Sequence, residues 1–174
     1  MISRDAFERF FIILACSVLA IHVYVKVVPY SLSWNVTASI PRGLYLSTEA
    51  TTTPLVRGQI GCFAYSAPTW AEARHYFPDG FQLCKYALGL PGDVVEVDAS
   101  LRVSSAAGKH ADVAFASADS RGRPMPRAEG LAGAIPRGEY LLLAPAHTNS
   151  LDSRYLGRIA HERLTRTLVP LLTW

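Results

Sequence analysis

Ser39 and Lys85 are the two residues of this chain whose types and settings could together do acyl-transfer chemistry. A serine hydroxyl is a weak nucleophile until a base removes its proton. A lysine can be that base only while its amine is uncharged. The free amine has a pKa of about 10.4, and useful base strength near neutral pH needs about 7 to 8. That difference is roughly 3 to 4 kcal/mol, and burial among apolar groups without a closely paired carboxylate is the physical route to it.

The surroundings of both residues fit such a demand. Ser39 lies in Thr37-Ala38-Ser39-Ile40-Pro41-Arg42-Gly43-Leu44-Tyr45. Pro41 fixes its own backbone angle and restrains Ile40, and Gly43 can take a geometry closed to other residues. Such a turn can present a hydroxyl and aim backbone N–H groups at an oxyanion, with the Thr37 hydroxyl as a further donor. Lys85 lies in Phe81 to Leu88, just before Gly89-Leu90-Pro91-Gly92-Asp93. If that run is a strand, Phe81, Leu83, Lys85 and Ala87 share one face. Taken alone, each residue also has a plain reading: Ser39 as a turn starter and Lys85 as a solvated edge-strand lysine.

The elements around them come from a chain of 174 residues, half of them hydrophobic, with a formal charge of +3. That length fits one domain plus an appendage. The basic residues are scattered and form no stripe interleaved with aromatics, so no nucleic-acid partner is expected. Phe10 to Val25 is an uncharged apolar run followed by Lys26. As a helix it reaches about 24 Å, and a snorkelling Lys26 lets it extend to Val28 toward the roughly 30 Å of a hydrocarbon core. A cleaved leader is disfavoured, because no polar stretch with suitably spaced small residues follows. Arg4 and Arg9 ahead of the run against Lys26 behind it favour a cytoplasmic N-terminus. The expected organisation is a short cytoplasmic segment 1–9, a transmembrane anchor 10–28 and a β-rich domain 29–174 across the membrane, in the periplasm if the source is a diderm bacterium. A juxtamembrane connection is expected over Pro29 to Asn35.

From Gly43 onward, short apolar or alternating runs are broken by Gly, Pro and Asp. They predict strands at Leu44–Leu46, Ile60–Tyr65, Phe81–Leu88, Val94–Val97, Leu101–Val103, Glu139–Leu143, Arg158–Ile159 and Leu164–Val169. A modest helix is expected at Thr69 to Tyr76, and a strand at Ala111 to Ala116. Residues 104–133 read as a variable loop, insertion or flap, with the arginines of Arg121-Gly122-Arg123 on a solvated surface. The fold class is mainly β. Cys62 and Cys84 are the cysteines outside the apolar run, and a disulfide between them is possible without being fixed by the sequence.

The serine box, the lysine box with Gly89-Leu90-Pro91-Gly92-Asp93-Val94-Val95, the segment Ile135-Pro136-Arg137-Gly138-Glu139-Tyr140 and the segment Asn149-Ser150-Leu151-Asp152-Ser153-Arg154-Tyr155-Leu156-Gly157 together resemble the type I signal peptidase superfamily. The serine–hydrophobic–proline form resembles its TraF-type conjugative transfer branch. The resemblance implies an antiparallel β peptidase domain behind one membrane helix. It implies Ser39 as nucleophile, Lys85 as general base and Thr37 as a side-chain oxyanion donor. It places Ser150 near the base and makes Asp152 and Arg154 a supporting polar pair. No cofactor or metal is implied. The implied substrate is an exported precursor, in that branch a conjugative pilin precursor, released by hydrolysis or by cyclisation. The implied partners are inner-membrane lipid and components of a type IV secretion apparatus. Where general signal peptidases carry Gly-Asp-Asn, this chain has Ala144-Pro145-Ala146.

Rival chemistries have less support. His161-Glu162 opens like a zinc-protease motif, but Thr165 stands where the second histidine belongs. No GxSxG elbow, SxxK box, phosphate loop or GxGxxG occurs. A general leader peptidase and an inactive membrane-anchored assembly module remain as alternative functions.

Overall fold

The computed structural model describes residues 4–27, 30–50 and 53–174. The chain divides into two compact units, Met1–Ser31 and Leu32–Trp174. The expected end of the anchor at Val28 and the start of the connection at Pro29 lie outside the described residues.

In the first unit α1 runs over Arg4–Val27. Its Phe7–Tyr24 stretch has a mean hydropathy of 1.7 and none of it is buried. Among the described residues this is the one helix long and apolar enough to cross a membrane. The uninterrupted apolar run carries no Gly or Pro, so nothing breaks the backbone ladder.

The second unit is mainly antiparallel β. The strands are β1 (Tyr30–Asn35, whose first two residues close the first unit), β2 (Gly43–Glu49), β3 (Ile60–Ala64), β4 (Gln82–Gly89), β5 (Val94–Val97), β6 (Ser100–Ser105), β7 (Gly108–Ala114), β8 (Gly133–Ala134), β9 (Glu139–Leu143), β10 (Ile159–Ala160) and β11 (Leu164–Thr173). Seven form one sheet in the order β1-β2-β11-β3-β4-β9-β10, and four form another in the order β7-β6-β5-β8. β9 joins the two layers. Leu142 packs with Leu55, Phe63, Leu83 and Leu164, whereas Leu141 and Leu143 point the other way, onto Val95, Leu101, Val103 and Ile135. A strand apolar at three consecutive positions is what burial on both faces requires.

Several expectations need correction. The expected connection before Asn35 is strand from Tyr30 onward. The expected helix at Thr69 to Tyr76 is only one turn, α2 (Thr69–Glu72). Beyond it His75 adopts φ 48°, which no helix continues through. The tail strand runs on through Pro170 to Thr173, longer than its apolar pattern suggests. Pro170 is tolerated because the pairing of β11 with β3 ends at Leu168↔Ile60, so the missing N–H faces no strand on that side. Gly43 explains its own presence in the serine box. At φ 146° it lies against β11, and a Cβ there would sit 2.0 Å from the Leu172 carbonyl oxygen.

Cys62 and Cys84 face each other across β3 and β4 and form a disulfide. Closing 22 residues of chain in this way stabilises by about 3 kcal/mol in the chain-entropy picture.

Candidate active site

Lys85 sits in the middle of β4, whose residues from Leu83 onward alternate between buried and half-buried. Leu83, Lys85 and Ala87 share the buried face, as the period of two requires. Phe81 lies just ahead of the strand and is 41 % exposed, so it does not join that face. The residue paired with Lys85 on β3 is Gly61, and Leu55, Leu142 and Leu164 fill the space a side chain there would take, which adds apolar surroundings on the lysine's face of the sheet. The lysine is 3 % exposed, and its Nζ donates to the Cys84 carbonyl oxygen at 3.2 Å. Burial pushes the amine down from the usual 10.5 to about 8; Asp152 pulls it back up and Arg154 offsets part of that pull.

The Asp152 carboxylate is already occupied. Oδ1 accepts from the Arg154 backbone N–H at 3.1 Å and Nε at 2.9 Å, and Oδ2 accepts from Arg154 Nη2 at 2.9 Å and the Ala144 N–H at 3.0 Å. Both side chains of this ion pair are fully buried. Lys85 therefore has a carboxylate in its field but not as its own counter-ion, which is the condition for a depressed amine pKa. Asp152 also caps α3 (Ser153–Leu156) through that bond to the Arg154 N–H. Arg154 further donates to the carbonyls of Ala114, His147 and Ser150, at 2.5, 3.1 and 3.4 Å. It thereby anchors the turn of Ala144-Pro145-Ala146-His147, whose own bonds run His147 N–H to Ala144 O and Ser150 N–H to His147 O. Ser150 is held from both directions.

Ser39 lies in the turn between β1 and β2 and is half-buried. Its hydroxyl and that of Ser150 share a hydrogen bond at 3.2 Å. The turn is organised by a residue the sequence reading did not single out. Asn35 Nδ2 donates to the carbonyls of Thr37, Ile40 and Pro41, at 2.8, 3.1 and 2.9 Å. Its Oδ1 accepts from the Thr37 N–H at 3.2 Å and the Thr37 hydroxyl at 2.8 Å. The only signal was an asparagine two residues ahead of a threonine at a strand end, the pattern of a side chain that mimics a backbone turn. Ile40 is buried on the far side with Tyr45, Ile60, Cys62 and Leu168, which nails the turn to the sheet.

Ser39, Lys85 and Ser150 line one cavity of about 470 Å³. Thr37 lines it too, as an exposed residue whose hydroxyl proton goes to Asn35. Asp152 and Arg154 stand behind the wall. Among the described residues no hydrogen bond joins Lys85 directly to Ser39; they meet through the shared cavity, which Ser150 also lines.

The Gly92-Asp93 end of the lysine box is a structural bracket. Asp93 is 4 % exposed. It accepts from Arg57 Nη1 and Nη2 at 2.8 and 2.9 Å and from the Leu90 N–H at 2.8 Å. Burial raises its pKa, but these bonds outweigh burial and hold it below the usual carboxylate value. Arg57 also donates to the Leu88 carbonyl, fixing the exit of β4.

The family profile described as "Signal peptidase, peptidase S26" matches residues 4–171 of the chain. Two curated relatives, both described as "Plasmid transfer protein TraF" from Escherichia coli, are 32 % and 31 % identical over 155 and 156 residues. In each case the match covers 80 % of this chain and 82 % of the relative.

Proposed function

This chain belongs to the peptidase S26 family of signal peptidases, and from that premise we propose that it is a membrane-anchored serine endopeptidase with Ser39 as nucleophile and Lys85 as general base. The observation that carries this reading is a buried lysine with a depressed pKa opening onto the same cavity as a serine hydroxyl. At pH 7 an amine of pKa about 8 is neutral in about a tenth of molecules. Ser39 Oγ attacks the scissile carbonyl while the Lys85 amine takes its proton. The tetrahedral oxyanion is met by backbone N–H groups of the Ser39 turn, joined by the Thr37 hydroxyl once it rotates away from Asn35. The lysine then gives its proton to the leaving amine, leaving an acyl ester on Ser39. A second nucleophile attacks that ester and frees the serine. Ser150 orients the hydroxyl of Ser39, and the Asp152–Arg154 pair positions Ser150.

The substrate is an exported precursor, and the plasmid-transfer designation of the relatives favours a conjugative pilin precursor. Water as the second nucleophile gives a linear product; the chain's own amine gives a circle. The exposed apolar α1 suits a single membrane span. The Cys62–Cys84 disulfide suits a domain on the oxidising, periplasmic side.

The test is co-expression of the full chain with a conjugative pilin precursor, read by mass spectrometry of the pilin. Wild type should yield processed pilin. Ser39→Ala and Lys85→Met should each lower processing by at least about a thousandfold while leaving a folded, membrane-bound protein. Processing that persists in both variants would identify the chain as an assembly component instead.

A further inference from the structure

The cavity beside Ser39 has a second wall, built from two segments far apart in sequence. Tyr76 and Asp119, separated by 43 residues, both line it and meet through a hydrogen bond from the phenol to the carboxylate at 2.5 Å. Asp119 has a side chain only 6 % exposed and is a hub. It also accepts from the backbone N–H groups of Arg121 and Arg123, each at 2.9 Å, and from Arg123 Nε at 2.7 Å. Arg123 in turn lies over the Tyr76 ring. Arg74 Nη1 donates to the Tyr76 oxygen at 3.1 Å and to the Pro124 carbonyl at 2.8 Å. Far from forming a solvated face, as the sequence pattern predicts, Arg123 is committed to this junction. The cavity surface it closes over is apolar: Phe77, Phe81, Leu83, Ala116 and Met125.

We propose that the Tyr76–Asp119 bond is a specificity strut: by holding residues 117–125 against residues 74–77 it sets how large an apolar substrate side chain the cavity accepts beside the scissile bond. The proposal rests on the peptidase reading of Ser39 and Lys85. The phenol oxygen donates to Asp119, receives Arg74 and lies 3.5 Å from Met125 Sδ, so its loss releases those three contacts and leaves the Arg74 bond to the Pro124 carbonyl and Arg123 over the ring as the remaining ties. The loop itself keeps its internal bonds, Met125 N–H to Ser117 O and Asp119 N–H to Arg123 O, so it moves as a piece instead of collapsing. The cavity then admits a longer side chain.

The experiment uses the full chain in detergent micelles with a proteome-derived peptide library, cleavage sites being read by mass spectrometry. Wild type, Tyr76→Phe, Asp119→Ala, the double variant and Arg121→Ala are compared. Kinetics follow on a peptide pair differing by Ala or Leu at the position whose selection changes. In Tyr76→Phe and Asp119→Ala the Leu-to-Ala ratio of kcat/KM should rise at least tenfold, mainly through KM. The double variant should rise no further than Asp119→Ala alone, because that variant has already lost the Tyr76 bond together with the Asp119 bonds to Arg121 and Arg123. Arg121→Ala, which keeps its backbone N–H, should leave the ratio at the wild-type value. Ser39-dependent cleavage with a ratio unchanged within twofold in both single variants overturns the strut alone. An equal loss of cleavage on both peptides does the same. A wild type that cleaves no peptide in the library overturns the peptidase reading, and the strut with it.

Discussion

Lys85 and Ser39 reach the same cavity with opposite kinds of support. Lys85 is fixed by a central strand, with strand neighbours on both sides, a cross-strand disulfide next door and a sealed ion pair behind it. Ser39 rides a turn held by the Asn35 side chain, by buried Ile40 and by the Tyr45 hydroxyl, which donates to the Pro41 carbonyl at 2.6 Å. The difference divides the chemistry. The base must lose its charge, which needs desolvation and therefore a rigid, dry setting. The nucleophile needs its hydroxyl aimed at the substrate carbonyl, which a turn braced by side-chain bonds provides.

The largest effect should come from breaking the rigid side. Arg154→Ala leaves the Asp152 carboxylate buried and charged without its partner, and should cost about 3–5 kcal/mol in stability. Denaturant unfolding of the full chain in micelles measures it. A loss below about 1 kcal/mol would show that the pair is not the anchor described above.

Next is the cost of the lysine itself. Its folded pKa is lowered from 10.5 to about 8, so the unfolded chain holds a proton that the folded chain sheds between those values. The resulting destabilisation is fully present below about pH 8 and fades as pH rises toward 10.5. Lys85→Met should therefore be more stable than wild type by up to roughly 3 kcal/mol at pH 7. The gap should close on approach to pH 10.5. Thermal unfolding at pH 7, 9 and 10.5 reads this directly; a constant gap would assign it to packing instead.

The smallest effect belongs to the turn that carries Ser39 and separates it from the strand that carries Lys85. Asn35→Ala removes a donor shared by three carbonyls of the Ser39 turn. It should lower kcat about ten- to a hundredfold while costing only about 1–2 kcal/mol in stability. The titration of Lys85 should be untouched. A shifted lysine titration in this variant would mean that the two supports are not independent.

The strand that carries Lys85 was partly legible in the sequence; of the Ser39 turn, the box with Pro41 and Gly43 was legible and the Asn35 bracing was not. A lysine alternating with Leu83 and Ala87 suggests a strand with those residues on one face, but a solvated edge-strand lysine stayed open until the structure placed Lys85 at 3 % exposure. Leu141 to Leu143 similarly announce a strand covered on both faces. The roles assigned to Ser150, Asp152 and Arg154 came from resemblance, since three polar residues in a loop carry no periodic signal of mutual contact. Asn35 was missed because its five bonds are to nearby backbone and Thr37, and composition does not distinguish such an asparagine from any other. The strut was missed for a different reason. Tyr76 and Asp119 meet only through tertiary packing, and the polar, arginine-rich stretch around Asp119 has the composition of an ordinary surface loop. The apolar run of the tail stopped short of the true strand end because Pro170 reads as a terminator unless the neighbouring strand is known to have ended first.

The most direct measurement is the titration of the Lys85 amine in the full chain, by carbon-detected NMR of 13Cε-labelled lysine in detergent micelles. The lysines of the chain are Lys26, Lys85 and Lys109, so Lys85→Met assigns the signal. A resonance that disappears in that variant and titrates near 8 is the predicted result. A resonance assigned in the same way that titrates at the ordinary value of about 10.5 would contradict the account.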